Sequence, residues 1–264
     1  MKVLLHLSFL GTNYCGYQIQ PNGVTVQQKL NEATRALFGY DCDIVGCSRT
    51  DSGVHANEFC ATVSKKGESF LETTIPTDRI PLAIAQFLPE DISVFSAEAV
   101  SDDFHPRYDV TYKEYIYRIW NRPERNPFES DRSWHYPKPI SEDALSAMQK
   151  AAKAFCGTKD FASYMAADSK IRDSVRTVYD AEVRRVGDVI EFRVSANGFL
   201  YHMVRILMGT LIAVAEGKLL PEQIAEITAA CDRRRAGVTA PPQGLFLNRV
   251  VYDSGVDKRS TEKI

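Results

Sequence analysis

Apolar residues alternate at the start of the chain, with Val3, Leu5, Leu7 and Phe9 on one side, and this period of two predicts a strand over 2–9. The period then lengthens. Val26, Leu30, Ala33 and Leu37 share one face of a helix expected over 26–38, opened by Thr25 with Gln28 as a capping box and stopped by Gly39. Strands are expected near 42–46 and 56–64, a helix near 78–88, and a strand near 92–100. The order β-α-β-β-α-β is the ferredoxin-like split arrangement.

The second half follows the same course. A strand from Lys113 to Asn121 precedes a helix starting after Ser141, with Glu142 and Asp143 in its first turn. Its inward face would be Leu145, Met148, Ala152 and Phe155, with Gly157 as its stop. A hairpin over 175–185 and 189–196 would turn at Gly187-Asp188. Helices over 199–215 and 221–231 and a strand near 245–252 complete the half. The fold class expected is α+β: two ferredoxin-like βαββαβ halves, residues 1–104 and 105–264, with antiparallel sheets flanked by helices and a central cleft. The hinge would lie near 100–111.

Composition narrows the class. Of 264 residues, 44% are hydrophobic and 25% charged, as in an ordinary soluble globular protein, and no run is apolar enough for a membrane span. The N-terminal segment alternates like a strand and has no small-residue cleavage site, which argues against a signal peptide. Six cysteines form no C-x-x-C pair, and the five histidines have no ligand spacing, so neither zinc nor disulfides are indicated and reduced cytoplasmic thiols are expected. The net charge of −2 gives no global sign of a nucleic-acid partner. Arginines nevertheless cluster at 118, 122 and 125, at 172, 176, 184 and 185, and at 233–235. Each cluster is either a solvated face or part of a patch assembled in three dimensions.

The stretch GCSRTDSGVHA, residues 46–56, carries the most chemistry. It is a polar, glycine-containing loop between two expected strands, the kind of place where a rigid sheet presents reactive groups. Asp51 either serves chemistry there or closes a turn through its own backbone amides. Arg205 is expected in the middle of a helix that is apolar almost all round. A buried guanidinium keeps its proton and must meet a carboxylate unless it snorkels to water, and Asp51 is the best candidate. In TYKEYIYRIW, Tyr115 and Tyr117 share a face, placed either to stack on a base or to pack in the core.

GCSRTDSGVHA resembles the catalytic loop of the tRNA pseudouridine synthase A family. So do YCGYQIQ with TVQQKL (14–30), DDFHPRYDVTYKEYIYRIWN (102–121), DSVRTV (173–178), NGFLYHMVRILMG (197–209) and TAPPQGLFL (239–247), in the family's order. The resemblance implies the pseudouridine synthase fold, a homodimer, tRNA as partner, no cofactor and no metal. It implies conversion of uridine to pseudouridine at tRNA positions 38, 39 and 40, in the anticodon arm. Asp51 takes the place of the family's nucleophile, and Arg49 that of the arginine that displaces the target base and holds the flipped nucleotide. Tyr115 takes that of the substrate-binding tyrosine lying against uracil, and Arg205 that of the arginine pairing with the aspartate. Tyr17 stands where tryptophan is usual and Ser52 where alanine is common.

Two other readings compete. A tRNA-binding protein or chaperone without catalysis would not need the set Arg49, Asp51, Tyr115 and Arg205. A hydrolase would need a second carboxylate or a metal-binding set, and the motif has neither.

Overall fold

The computed structural model describes residues 1–169 and 171–253. The chain divides into two compact units: Met1–Tyr112 with the return from Leu247 onward, and Lys113–Phe246. Residues 254–264, the tail of the half expected over 105–264, lie outside the described residues.

The first unit runs β1 (Lys2–Phe9), α1 (Val26–Phe38), β2 (Cys42–Gly46), β3 (His55–Lys65), α2 (Ile80–Ala85) and β4 (Ile92–Val100). Its strands are antiparallel, with β1 between β4 and β3, and β2 on β3. Val3, Leu4, Leu5 and Leu7 are all buried, so β1 has apolar cover on both faces. Local chemistry sets the bounds of α1. The Thr25 hydroxyl accepts from the Gln28 N–H at 3.3 Å, and Gly39 takes φ +80° and donates to the Arg35 carbonyl. Val26, Leu30 and Ala33 are buried, and α1 packs on β2 while α2 packs on β4.

The second unit holds most of β5 (Val110–Trp120), then β6 (Trp134–His135), α3 (Glu142–Lys153), β7 (Gly157–Asp160), β8 (Val175–Val186) and β9 (Val189–Ala196). Two helices follow, α4 (Met203–Ala215) and α5 (Gln223–Ala229). The strand order is β5-β9-β8-β7, antiparallel throughout, and β6 adds a short parallel pair to the end of β5. The hairpin turns where expected: Val186 pairs with Val189, and Gly187 takes φ +60°. Ser141 caps α3, its hydroxyl accepting from the Ala144 N–H at 3.2 Å. That helix buries Leu145, Met148 and Ala152 against β8 and α4.

Three details differ from expectation. β6 and β7 are two and four residues long, too short to show a period. Gly157 does not stop α3; at φ +103° it starts β7 after the helix has ended at Lys153. The helix expected from residue 199 begins at Met203, because His202 adopts the left-handed conformation at φ +60°. Hydropathy carries no signal for that kink.

The last strand, β10 (Leu245–Tyr252), returns to the first unit from Leu247 and lies beside β3. Asn57 donates to the Asn248 side chain at 2.8 Å. The Tyr252 hydroxyl donates to the Pro106 carbonyl at 2.8 Å, and its ring meets Phe104 edge-on.

Candidate active site

Asp51 and Arg49 sit on the loop between β2 and β3, and several local contacts hold that loop. Its first residue, Cys47, donates its N–H to the Cys60 carbonyl at 2.8 Å. Residues 51–54 form a turn closed by the Val54 N–H donating to the Asp51 carbonyl at 3.2 Å, with Gly53 at φ +77°. Beneath the loop runs the segment 11–17. The Tyr17 N–H donates to the Thr50 carbonyl, and the Ser52 hydroxyl donates to the Tyr14 carbonyl at 3.1 Å. Gly16, at φ +82°, approaches so closely that a Cβ there would overlap the Thr50 carbonyl oxygen. Gly11 is as tight against Val54, and its N–H donates to His55 Nδ1 at 2.9 Å. That bond makes Nδ1 the unprotonated nitrogen of this fully buried ring.

The two departures in sequence both buttress the loop. The Tyr17 ring stacks on Phe59 at 4.2 Å and covers Gly46, where a Cβ would strike it. Ser52 turns its hydroxyl onto the Tyr14 backbone. The Tyr17 and Thr50 hydroxyls are themselves buried with no hydrogen-bond partner among the described residues, a cost of the kind that concentrates at functional sites. The result is a half-exposed Asp51 beside an exposed Arg49, on a backbone with little freedom. A carboxylate presented in this way can act as a nucleophile or a general base, while a neighbouring guanidinium can bind phosphate or fill a gap in a base stack.

Tyr115 and Arg205 belong to the second unit. Tyr115 lies on β5 opposite Val194 of β9, buried, with its ring edge-on to Phe199 at 4.9 Å. Tyr117, on the same face, is fully buried and donates its hydroxyl to the Pro241 carbonyl at 2.6 Å. Arg205 is in the first turn of α4 rather than its middle, and is half-buried rather than enclosed. Its Nε donates to the Ala240 carbonyl at 2.7 Å, and its own carbonyl accepts from the Ala240 N–H at 3.1 Å. The segment 237–240 is pressed onto α4 by two glycines. A Cβ on Gly209 would overlap the Val238 carbonyl oxygen, and one on Gly237 would overlap the Gly209 backbone.

The sequence matches the family described as tRNA pseudouridine synthase over residues 7–109 and 151–253. The chain belongs to that family. Its relatives match along nearly their full length. The tRNA pseudouridine synthase A of Thermoanaerobacter sp. strain X514 is 40% identical over 251 residues, covering 95% of this chain and 99% of that protein. Those of Ruminiclostridium cellulolyticum and Bacillus pumilus are 41% identical, over 252 and 259 residues, with 95% and 96% of this chain covered and 99% and 100% of theirs. Among solved structures, a chain of a Cbf5-Nop10-Gar1 complex is a slight match, with TM-score 0.38 and 12% identity over 93% of this chain and 48% of that one.

In this family member the arginine clusters divide by environment. Arg185 is spent on the Ile140 carbonyl at 2.6 Å, and Arg118 faces Glu129 and Glu191. Arg176 donates to the Asp173 and Val175 carbonyls. Arg233 braces its own loop through the Gly237 carbonyl at 2.8 Å and the Thr239 hydroxyl at 3.2 Å, and its burial pulls its pKa down. Arg172, Arg234 and Arg235 are exposed. Spacing could not separate the two groups, because a run of three arginines reads alike whichever side chains turn inward. No helix is long and apolar enough to cross a membrane among the described residues.

Proposed function

We propose that this chain isomerises uridine to pseudouridine at positions 38, 39 and 40 of the tRNA anticodon arm, with Asp51 as its nucleophile. The observation that carries the reading is the Asp51 loop. In a chain of this family, one half-exposed carboxylate stands beside an exposed arginine on a turn fixed by Gly11, Gly16 and Gly53. The reaction breaks the N1–C1′ bond, turns uracil in place and joins C5 to C1′, with the C5 proton lost to a base and a proton taken up at N1. Asp51 either attacks C1′, assists elimination to a glycal, or adds to C6 of the base. The target must first leave the stack, at a cost of a few kcal/mol, roughly. Arg49 would occupy the gap it leaves, and Tyr115 would lie against the ring. Arg205 is the proposed partner of Asp51, supplying the charge that keeps the carboxylate in place.

The order β1-α1-β2-β3-α2-β4, with β1 between β4 and β3, supports a ferredoxin-like first half. We extend that reading to the second half, to a homodimer as the working form and to the cytoplasm as its location.

The test is Asp51→Asn. Pseudouridine formation in tRNA transcripts, read by mass mapping, is expected to fall below detection while tRNA binding stays within a few-fold. Turnover persisting in a folded variant rules out Asp51 as nucleophile. Loss of binding together with activity would favour a role in holding tRNA.

A further inference from the structure

Outside the catalytic loop, three strands of the first unit bring four ionisable side chains to one point. His6 on β1 pairs with Cys60 on β3 and with Ser96 on β4, beside the irregularity between His6 and Leu7. His6 Nδ1 lies 3.1 Å from Glu58 Oε1 and 3.5 Å from Cys60 Sγ, while Nε2 lies 2.8 Å from Glu98 Oε1. His6 is 8% exposed and Cys60 fully buried. We propose that His6 Nδ1, Cys60 Sγ and a Glu58 carboxylate oxygen form a binding site for one zinc ion, with Glu98 orienting His6.

Geometry and donor chemistry agree. The three ligand atoms lie within 4.8 Å of one another. Around a tetrahedral zinc, with bonds of about 2.0–2.3 Å, neighbouring ligand atoms stand roughly 3.3–3.7 Å apart. His6 and Cys60 already have that separation, and His6 and Glu58 are close to it, so a small swing of the glutamate completes the set. A thiolate, an imidazole and a carboxylate together suit zinc better than magnesium or calcium, which prefer oxygen alone. Glu98 accepts the Nε2 proton, which leaves the Nδ1 lone pair for the metal. This is the carboxylate–histidine–metal relay that orients ligating histidines elsewhere. Two carboxylates, one at each ring nitrogen, would satisfy a protonated His6 by themselves; the Cys60 thiol on the Nδ1 side adds the soft donor that a metal site needs. The Glu58 side chain is 17% exposed, so water can reach the site from that side and supply a fourth ligand.

Binding releases the Cys60 thiol proton to solvent, together with the second imidazole proton where His6 carries one, so affinity rises with pH. The ion would join β1 to β3 directly and hold β4 through Glu98. Spacing along the chain hides the set, because its members stand at 6, 58, 60 and 98 and meet only through strand pairing. The site takes no part in the proposed isomerisation and stands independently of it.

The experiment is titration of chelator-stripped full-length protein with Zn²⁺ against a chromophoric competitor, and with Co²⁺ as a spectroscopic probe. One ion per chain, a thiolate-to-cobalt charge-transfer band and a rise in Tm with Zn²⁺ are expected. His6→Gln and Cys60→Ser, checked for folding by circular dichroism, should lose that equivalent. Glu98→Gln should bind about 10- to 100-fold more weakly. Cys47→Ser, which alters the thiol that accepts the Cys60 N–H, should bind normally. Failure of the wild type to bind one equivalent overturns the proposal, as does binding undiminished in the His6 and Cys60 variants. Should those variants not fold, a wild-type cobalt complex without the thiolate band overturns it alone.

Discussion

At the scale of single residues, Asp51 owes its position to glycines that lie outside its own loop. Gly16 and Gly67 make a matched pair. Both have positive φ, +82° and +79°, but only Gly16 has a carbonyl oxygen where a Cβ would go, whereas Gly67 has nothing within 4 Å. An alanine at either position meets the left-handed penalty of about 1–2 kcal/mol. At Gly16 the Thr50 carbonyl, next to Asp51, must also move. Gly67→Ala is therefore expected to lower stability by that amount and leave pseudouridine formation unchanged. Gly16→Ala should lower stability further and cut kcat by about 10²-fold, since displacements of about 1 Å have that effect on catalysis. Denaturant titration with single-turnover kinetics on both variants checks this. Equal kcat in the two would mean that the loop does not need the Gly16 contact. The loop was legible in sequence because its composition is local: a carboxylate, an arginine and a glycine within five residues. Its buttress was not, because Tyr14, Gly16 and Tyr17 act across the fold on residues some 35 positions away, as the 38-residue separation of the Ser52–Tyr14 bond illustrates.

At the scale of elements, the second unit shows the same logic between a helix and a strap of chain. α4 is crossed closely by residues 237–240, and the crossing ends in the paired hydrogen bonds between Arg205 and Ala240. Gly209 and Gly237 permit the approach, and Thr210 secures it by accepting the Gly237 N–H at 2.9 Å. Gly209→Ala is expected to cost about 1–3 kcal/mol through overpacking and to reduce activity by detaching Arg205 from its anchor. Thermal unfolding together with tRNA turnover measures both, and a variant stable but fully active would uncouple the strap from Arg205. Helices α1 and α3 could be read from sequence because Thr25, Gly39 and Ser141 announce their ends locally. The start of α4 could not, since it depends on a left-handed His202 that no cap residue announces. That is why hydropathy places Arg205 mid-helix, whereas it stands in the first turn.

At the scale of the whole molecule, the charge balance of −2 conceals a division of labour among arginines. Arg233, held inward by the Gly237 carbonyl and Thr239, serves the fold. Arg233→Ala should cost about 1–3 kcal/mol, the range for hydrogen bonds to a charged group, and should leave the salt dependence of tRNA binding almost unchanged. Arg172→Ala and Arg235→Ala should do the reverse, each flattening the slope of log K against log salt by roughly 0.7–0.9 while stability holds. Fluorescence anisotropy at several salt concentrations distinguishes the two groups. A slope that moves only in Arg233→Ala would exchange their roles.

The return of β10 bears on how this chain is made. Its residues from Leu247 complete the first unit beside β3, and Tyr252 seals it against Pro106 and Phe104. A ribosome delivers Met1–Tyr112 before that strand, with the whole of Lys113–Phe246 in between. The first unit therefore waits, with part of the β3 edge uncovered, until a strand made after the whole second unit comes back to it.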